Sequence, residues 1–199
     1  NGRALVWKEL IGVAYTERVS LTSQAYYATP DIYFDKTEEK GKPFAYHVFG
    51  VALIEAELDA LRGVYKFNRV SIVHDTGKSL DQQTDLGQIE GGFIQGLGWT
   101  TVEEFLFGKD GKIITGSSST YKVPDIKFIP EEINVEMMED LKNPYAVLGS
   151  KAVGEPPFMY GIGGYFAVQN CISAAKPDVK LKFDCPVTPE KVLLTLVEK

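Results

Sequence analysis

Two segments of the sequence combine residue types that could bind a ligand or move a proton. The first, residues 85–96, places Gln88 among several glycines where a helix is expected to begin. The free N–H groups and the positive dipole end of a helix N-terminus favour a bound anion such as a phosphate. The glycine order matches neither the phosphate-binding loop of nucleotide hydrolases nor the dinucleotide fingerprint. With Asp85 as N-cap and Gln88 three residues later, the same residues could instead form a capping box without any ligand.

The second segment, residues 149–157, carries Glu155 between Gly154 and Pro156. Proline disfavours the helical region for the residue before it, so Glu155 is predicted to be extended, with its carboxylate projecting from a stiffened loop. A carboxylate shielded from water can act as a general base near neutral pH. Lys151 stands in the same loop and could contact an anion. The alternative is a surface turn with a solvated glutamate and a solvated lysine.

Other candidates are explained more simply by structure than by chemistry. The pair His74 and Asp75 could be a catalytic dyad, but no nucleophile can be assigned to it, so a satisfied histidine at a strand end is the better interpretation. Cys171 lies in an apolar helical context and Cys185 in a loop. Neither has the basic surroundings that make a thiol reactive.

The hydrophobic pattern predicts the elements that must position these residues. Alternation over 52–59, followed by a β-branched and aromatic run over 64–74, predicts an antiparallel hairpin. The helical period over 85–107 contains five glycines, each costing about 1 kcal/mol relative to alanine, so we expect close packing there against backbone or a ligand. A further strand is expected at 133–137, and helices at 7–15, at 158–174 and after Thr188. Because strands and helices do not alternate strictly, the predicted fold class is α+β, with a mixed or antiparallel sheet and packed helices.

Composition limits the class of protein. The 199 residues are 44% hydrophobic and 24% charged, which is typical of globular proteins. A net charge of −6 without a basic block gives no nucleic-acid footprint. Two cysteines and two histidines are too few for a disulfide scaffold or a zinc ribbon. Because no apolar run approaches the roughly 18 residues of a membrane span, a soluble, cytoplasmic protein is expected. The sequence does not begin with Met, so we interpret it as a piece of something larger.

Three long motifs carry a resemblance to a known family. They are residues 85–98, the Ser-Thr-Tyr-Lys-Val-Pro run at 119–124, and residues 149–157. Over nearly its whole length the chain resembles the molybdopterin-binding subunit of the xanthine oxidase family. Residues 19–21, 27–30 and 186–191 look closer to xanthine dehydrogenases than to aldehyde oxidoreductases. The resemblance implies that residues 1–199 are the C-terminal half of the molybdenum cofactor-binding domain, a fragment of a larger subunit.

The same resemblance implies roles for individual residues. In such enzymes the glutamate of the Gly-Glu-Pro motif is the general base, which would be Glu155. The glutamine of the Gly-Gln-x-Glu-Gly motif contacts the pterin cofactor, which would be Gln88. The loop before the base should lie along the cofactor with its backbone, at Lys151, Ala152, Val153 and Gly154. No residue of this chain is expected to ligate a metal.

The implied activity is oxidative hydroxylation of a purine with water as the oxygen source. Electrons would pass from the molybdenum cofactor through 2Fe-2S clusters and FAD to NAD. The implied partners are the N-terminal remainder of the molybdenum subunit, the iron–sulfur and FAD domains or subunits, and a small-molecule substrate, in an oligomer. The chain alone should be inactive. The alternatives are an aldehyde or N-heterocycle hydroxylase of the same family, or a cofactor-free structural or assembly module, although the intact Gly-Glu-Pro motif argues against the module.

Overall fold

The chain falls into two compact units in a computed structural model, Asn1–Ala45 and Tyr46–Lys199. The structure describes residues 4–138, 141 and 143–198. The first unit contains helix α1 (Trp7–Thr16), as predicted, and an antiparallel pair of short strands, β1 (Tyr33–Asp35) and β2 (Lys40–Lys42). None of its described residues is buried. The single domain over 1–199 stays a prediction.

The second unit is built on a three-stranded mixed sheet. Its strands are β3 (Gly50–Asp59), β4 (Val64–Asp75) and β5 (Glu132–Met138), in the order β3-β4-β5. β3 and β4 form the predicted antiparallel hairpin, whereas β5 pairs with β4 in parallel. The α+β class with a mixed sheet is therefore confirmed.

Three α-helices accompany this sheet: α2 (Gln82–Thr101), α3 (Ile162–Ala175) and α4 (Pro189–Val197). Two short 3-10 helices, Val147–Gly149 and Pro156–Gly161, lie between β5 and α3. As predicted, Thr188 caps α4, and its hydroxyl accepts a hydrogen bond from the N–H of Lys191 at 3.4 Å. Among the described residues, no helix combines the length and the apolar character that a membrane span requires.

The core of this unit joins the sheet to α2, α3 and α4. It contains Tyr65, Phe67, Val70, Ile72, Ile89, Phe93, Leu97, Tyr165, Val168, Ile172, Val187 and Val192. Burial of a large apolar side chain contributes roughly 1.5–3 kcal/mol, so this cluster is the main source of stability for the sheet and its helices.

A β-bulge in β4 decides which side chains face this core. Glu55 pairs with Arg69 and Ala56 with Phe67, so Asn68 is an extra residue on β4. Before the bulge the odd-numbered residues are buried, and after it the even-numbered ones are, with Asp75 also buried at the end of the strand. A strand without the bulge would direct His74 to the opposite face, because side chains alternate strictly. The bulge therefore turns His74 inward.

The start of α2 differs from the predicted one. The N-cap is Asp81, whose carboxylate accepts a hydrogen bond from the N–H of Thr84 at 2.8 Å. Asp85 lies inside the helix and accepts from the hydroxyl of Ser79 at 2.7 Å. The capping box of Asp85 and Gln88 is therefore wrong, since an earlier acidic residue takes the cap position and extends the helix by a turn.

Candidate functional site

Gln88 lies in the second turn of α2, on an exposed face of the helix. The prediction of an anion site at a helix N-terminus is wrong for this residue, since the free N–H groups of a helix are confined to its first turn. Gln88 instead lies beside the loop that carries Glu155. Its Oε1 atom would be 3.4 Å from a Cβ atom placed on Gly154. The structure thus brings together the two segments that the sequence singled out.

Two glycines of α2 allow the loop and the 3-10 helix after it to lie close to the helix. A Cβ atom on Gly92 would lie 2.5 Å from the carbonyl oxygen of Gly154, and one on Gly96 would lie 1.9 Å from that of Phe158. Both distances are shorter than any normal contact, so only glycine fits. Close packing of the helix against backbone is therefore confirmed at these two positions. Gly87 and Gly91, by contrast, have no atom within 4 Å.

The side chain of Lys151 points into the protein. Its Nζ atom lies 2.6 Å from Oδ2 of Asp75, and the two side chains are 6% and 0% exposed. The ammonium group also lies 5.7 Å from the centre of the Phe49 ring. Because this charge is already paired, the ammonium of Lys151 does not contact an outside anion in this arrangement, and only its backbone is left for the implied cofactor contact.

Ala152 and Val153 follow Lys151 in the loop, and both contact the rest of this unit. The carbonyl oxygen of Ala152 is 3.2 Å from Nε2 of His74, and Val153 is half-buried and packs against the core. His74 is fully buried, and its Nδ1 atom lies 2.7 Å from the hydroxyl of Tyr160. The interpretation of His74 as a satisfied histidine at a strand end is confirmed.

The backbone of Glu155 is helical, with φ −83° and ψ −40°, so the predicted extended conformation is wrong. Its carbonyl oxygen accepts a hydrogen bond from the N–H of Phe158 at 3.1 Å, which begins a 3-10 helix with Pro156 in its first turn. Proline is well suited to the first turn of a helix. The hydrogen bond of this turn compensates for the steric restriction that Pro156 places on Glu155. The side chain of Glu155 is exposed and has no hydrogen-bond or ion-pair partner among the described residues.

The loop and α2 offer groups that fit an organic cofactor. In the part of the chain that the structure describes, the N–H groups of Ala152, Val153 and Gly154 donate to no acceptor, although these residues are half-buried. The amide of Gln88 adds both a donor and an acceptor. A pterin ring carries donors and acceptors along its edge, so this set of groups fits it. No cluster of three or more His, Cys, Asp or Glu side chains that could hold a metal occurs among the described residues.

Sequence reasoning missed Tyr160, and it considered Asp75 only as half of a possible dyad with His74. Asp75 and Tyr160 are separated from their partners Lys151 and His74 by 76 and 86 positions. The local signal for Asp75 was its place beside His74 at the end of β4, which predicted a satisfied histidine and gave no partner for the carboxylate. Gly50 gave another signal, since a Cβ atom there would lie 1.7 Å from the Tyr160 hydroxyl oxygen.

Comparisons with known proteins point to one family. Residues 2–130 match the family of the molybdopterin cofactor-binding domain. The chain is 40% identical to a xanthine dehydrogenase of Oryza sativa over 209 aligned residues, which cover 100% of the chain and 15% of the relative. It is also 40% identical to a xanthine dehydrogenase/oxidase of Felis catus, over 97% of the chain and 15% of the relative.

A solved structure agrees with these relatives. The aldehyde oxidoreductase of Desulfovibrio gigas superposes with a TM-score of 0.68 and 28% identity, over 83% of the chain and 17% of that protein. The chain therefore spans about 15% of the length of the curated relatives that it matches. The match over residues 2–130 shows that this chain belongs to the molybdopterin cofactor-binding domain family.

Proposed function

We propose that this chain forms part of the molybdenum centre of a xanthine dehydrogenase-like hydroxylase, which oxidises a purine with water as the source of oxygen. The observation that carries the proposal is that Gln88 lies beside the loop at Gly154. Glu155 follows immediately and is exposed, without a side-chain partner among the described residues. The 40% identity to xanthine dehydrogenases supports a purine substrate.

Gln88 and the loop would hold the organic part of the cofactor. The amide of Gln88 can donate to and accept from the pterin edge, and the N–H groups of Ala152, Val153 and Gly154 are available to acceptor atoms. When bound, the molybdenum cofactor supplies the redox centre that accepts two electrons from the substrate. Because the chain offers backbone donors here, this part of the site would recognise shape and hydrogen bonding rather than charge.

Glu155 would act as the general base. Glu155 is the residue immediately before a 3-10 helix, and its side chain is exposed. Because the carboxylate has no hydrogen-bond or ion-pair partner among the described residues, its oxygens are free to accept a proton. General bases typically contribute a factor of about 10²–10⁴ to the rate. Among the described residues nothing covers this carboxylate, and we propose that the remainder of the molybdenum subunit excludes water from it.

Partner domains would complete the enzyme. We propose 2Fe-2S clusters and FAD in those domains, NAD as the final electron acceptor, an oligomeric assembly and a cytoplasmic location. The relatives, of which this chain covers about 15%, leave room for such domains.

The test is the Glu155→Gln variant of the assembled enzyme. Turnover should fall by several orders of magnitude, because the amide cannot accept the proton, while molybdenum per mole of enzyme stays unchanged. The matched control is Glu136→Gln, an exposed glutamate on β5, which should leave turnover unchanged. Near-normal turnover of Glu155→Gln would remove this residue from the mechanism.

Two measurements separate the alternatives. Molybdenum and iron are measured first, on the natively purified assembly. Molybdenum near one per chain supports the enzyme, whereas a complete, folded assembly without molybdenum would favour a structural module. Profiling the active assembly with purines, aldehydes and N-heterocycles then identifies the substrate class.

A further inference from the structure

Three consecutive residues at the end of β4 are polar and buried. His74, Asp75 and Thr76 are 0%, 0% and 1% exposed. Buried polar groups are unfavourable unless each has a partner. The side chains of Asp75 and His74 find partners in the loop that precedes Glu155, at Lys151 and Ala152. The hydroxyl of Thr76 donates to the carbonyl oxygen of Met138 at 3.2 Å, and its own carbonyl oxygen accepts from the N–H of Lys151 at 2.9 Å.

The pair of Asp75 and Lys151 is the most deeply buried of these contacts. One carboxylate oxygen of Asp75 receives the ammonium of Lys151 at 2.6 Å, and the other accepts from the N–H of Gly77 at 3.0 Å. A buried ion pair is often no more stabilising than an apolar pair of the same volume, so stability alone is a weak explanation for it. Its hydrogen bonds do, however, fix the distance and direction between β4 and the loop.

His74 holds the chain on both sides of Glu155. The carbonyl oxygen of Ala152 can only accept, so Nε2 of His74 carries the proton that it donates. Burial lowers the pKa of His74, which keeps the ring neutral, and Nδ1 therefore accepts from the hydroxyl of Tyr160. Ala152 stands three positions before Glu155 and Tyr160 five positions after it.

Glu155 itself has no anchor. Its side chain has no partner among the described residues, so the position of the carboxylate follows from the backbone on either side. The backbone is fixed before Glu155 by the contacts of Lys151 and Ala152, and after Glu155 by the contact of Tyr160. At Gly154 it also packs closely against Gly92 of α2.

We propose that Asp75, Lys151, His74 and Tyr160 are positioning residues that set the place of the Glu155 carboxylate relative to Gln88. This inference rests on the proposed role of Glu155 as general base. Because a misplacement of 1 Å can cost about 100-fold in rate, loosening this network should lower kcat on the order of 100-fold and leave KM within about twofold.

The main test is the double variant Asp75→Asn/Lys151→Met of the holoenzyme. It removes both charges together, so no unpaired charge is left buried, and Asn can still accept from the N–H of Gly77. The matched control is Arg69→Met/Glu132→Gln, which removes an exposed ion pair of 2.9 Å between β4 and β5 and should leave kcat unchanged. Molybdenum content is measured for every variant.

Hydrogen exchange gives a readout that does not depend on activity. In the double variant the hydrogen-bonded amides of Lys151 and Phe158 should exchange at least about tenfold faster, whereas those of residues 86–98 in α2 stay within about twofold. Equal acceleration in both segments would show a general loss of stability and overturn the proposal.

A double-mutant cycle tests whether the network acts through Glu155. The rate of enzyme reduction by substrate should fall about 100-fold when the pair is removed from the wild type, but less than twofold when it is removed from Glu155→Gln. The same fall in both backgrounds would overturn the proposal. Where the double variant yields no holoenzyme, Tyr160→Phe, which deletes only the hydroxyl bound to His74, enters the same cycle.

The outcomes for the two proposals are distinguishable. Full turnover of Glu155→Gln would remove the proposed function, and with it the basis of this inference. An inactive Glu155→Gln together with a fully active network variant would overturn the positioning role alone.

Discussion

Helix α2 and the loop before Glu155 meet at the same site but are held by different forces. α2 is fixed by Ile89, Phe93 and Leu97, which are fully buried and apolar. The loop is fixed by directional polar contacts with His74 and Asp75. Apolar contacts contribute stability but specify little geometry, whereas buried hydrogen bonds specify distance and angle. The difference indicates that the helix serves as the platform and that the loop sets the position of Glu155.

The largest loss of stability should come from breaking the buried polar contacts that hold the loop. Lys151→Met leaves the carboxylate of Asp75 buried and unpaired, which should lower the free energy of unfolding by about 3–5 kcal/mol. Urea unfolding of the chain measures this loss. Lys66→Met is the control, since its ion pairs with Glu57 and Glu131 are exposed and should contribute about 1 kcal/mol or less. Equal losses in the two variants would remove the distinction.

The packing of α2 depends on the close approach of its glycines to neighbouring backbone. In Gly96→Ala the new methyl group would meet the carbonyl oxygen of Phe158, so α2 and the 3-10 helix must separate. Overpacking of this kind costs about 1–3 kcal/mol, and we expect the upper end because the obstructing atom belongs to backbone. A thermal unfolding curve checks this, and an unchanged Tm would contradict the packing described for α2.

The buried histidine gives the contacts of the loop a pH dependence. Burial holds the pKa of His74 below its usual value of 6.5, so the unfolded chain binds a proton more readily than the folded one. The stability from neutral His74 is therefore fully present above about pH 6.5 and is lost as the pH falls below it. This loss cannot exceed about 1.4 kcal/mol for each pH unit.

The difference in unfolding free energy between pH 7.5 and pH 5.5 should be larger in the wild type than in His74→Gln. Comparing the two proteins cancels the contribution of the carboxylates that titrate in both. Equal pH dependence would mean that His74 is not held neutral.

The smallest expected change in stability concerns Gly91, in the middle of α2. Gly91 is exposed and has no atom within 4 Å, in contrast to Gly96 one turn later. Gly91→Ala should therefore raise the free energy of unfolding by about 0.5–1 kcal/mol through helix propensity alone. If cofactor occupies this open face, as the proposed function allows, the same variant should also lower molybdenum content in the assembled enzyme. A destabilised Gly91→Ala would show that this face packs against protein.

Most helices and strands were predictable because the hydrophobic pattern or cap that marks each one lies within a short stretch of sequence. The hairpin of β3 and β4 followed from alternation, β5 from Ile133, Val135 and Met137, and the last helix from Thr188 and Pro189. The start of α2 could not be fixed in this way. Several cap residues precede the helix, and only the hydrogen bonds of Asp81 and Asp85 decide between them.

The sequence predicted the two segments of the candidate site but not the residues that support them. The motifs singled out Gln88 and Glu155, and the structure places their two segments together. The conformation of Glu155 depends on a hydrogen bond from Phe158 that competes with the effect of Pro156. The inward direction of His74 depends on one extra residue, Asn68, which no periodicity reveals in advance.

The parallel pairing of β4 with β5 has a consequence for the order of folding. The turn between β3 and β4 closes after a few residues, whereas Asp75 and Lys151 are 76 positions apart and His74 and Tyr160 are 86 apart. Closing longer loops costs more chain entropy, and contacts distant in sequence form more slowly. The hairpin and α2 should therefore assemble early, and the loop before Glu155 should take its place only after β5 has joined the sheet. Glu155 would reach its final position last, on a scaffold that is already stable.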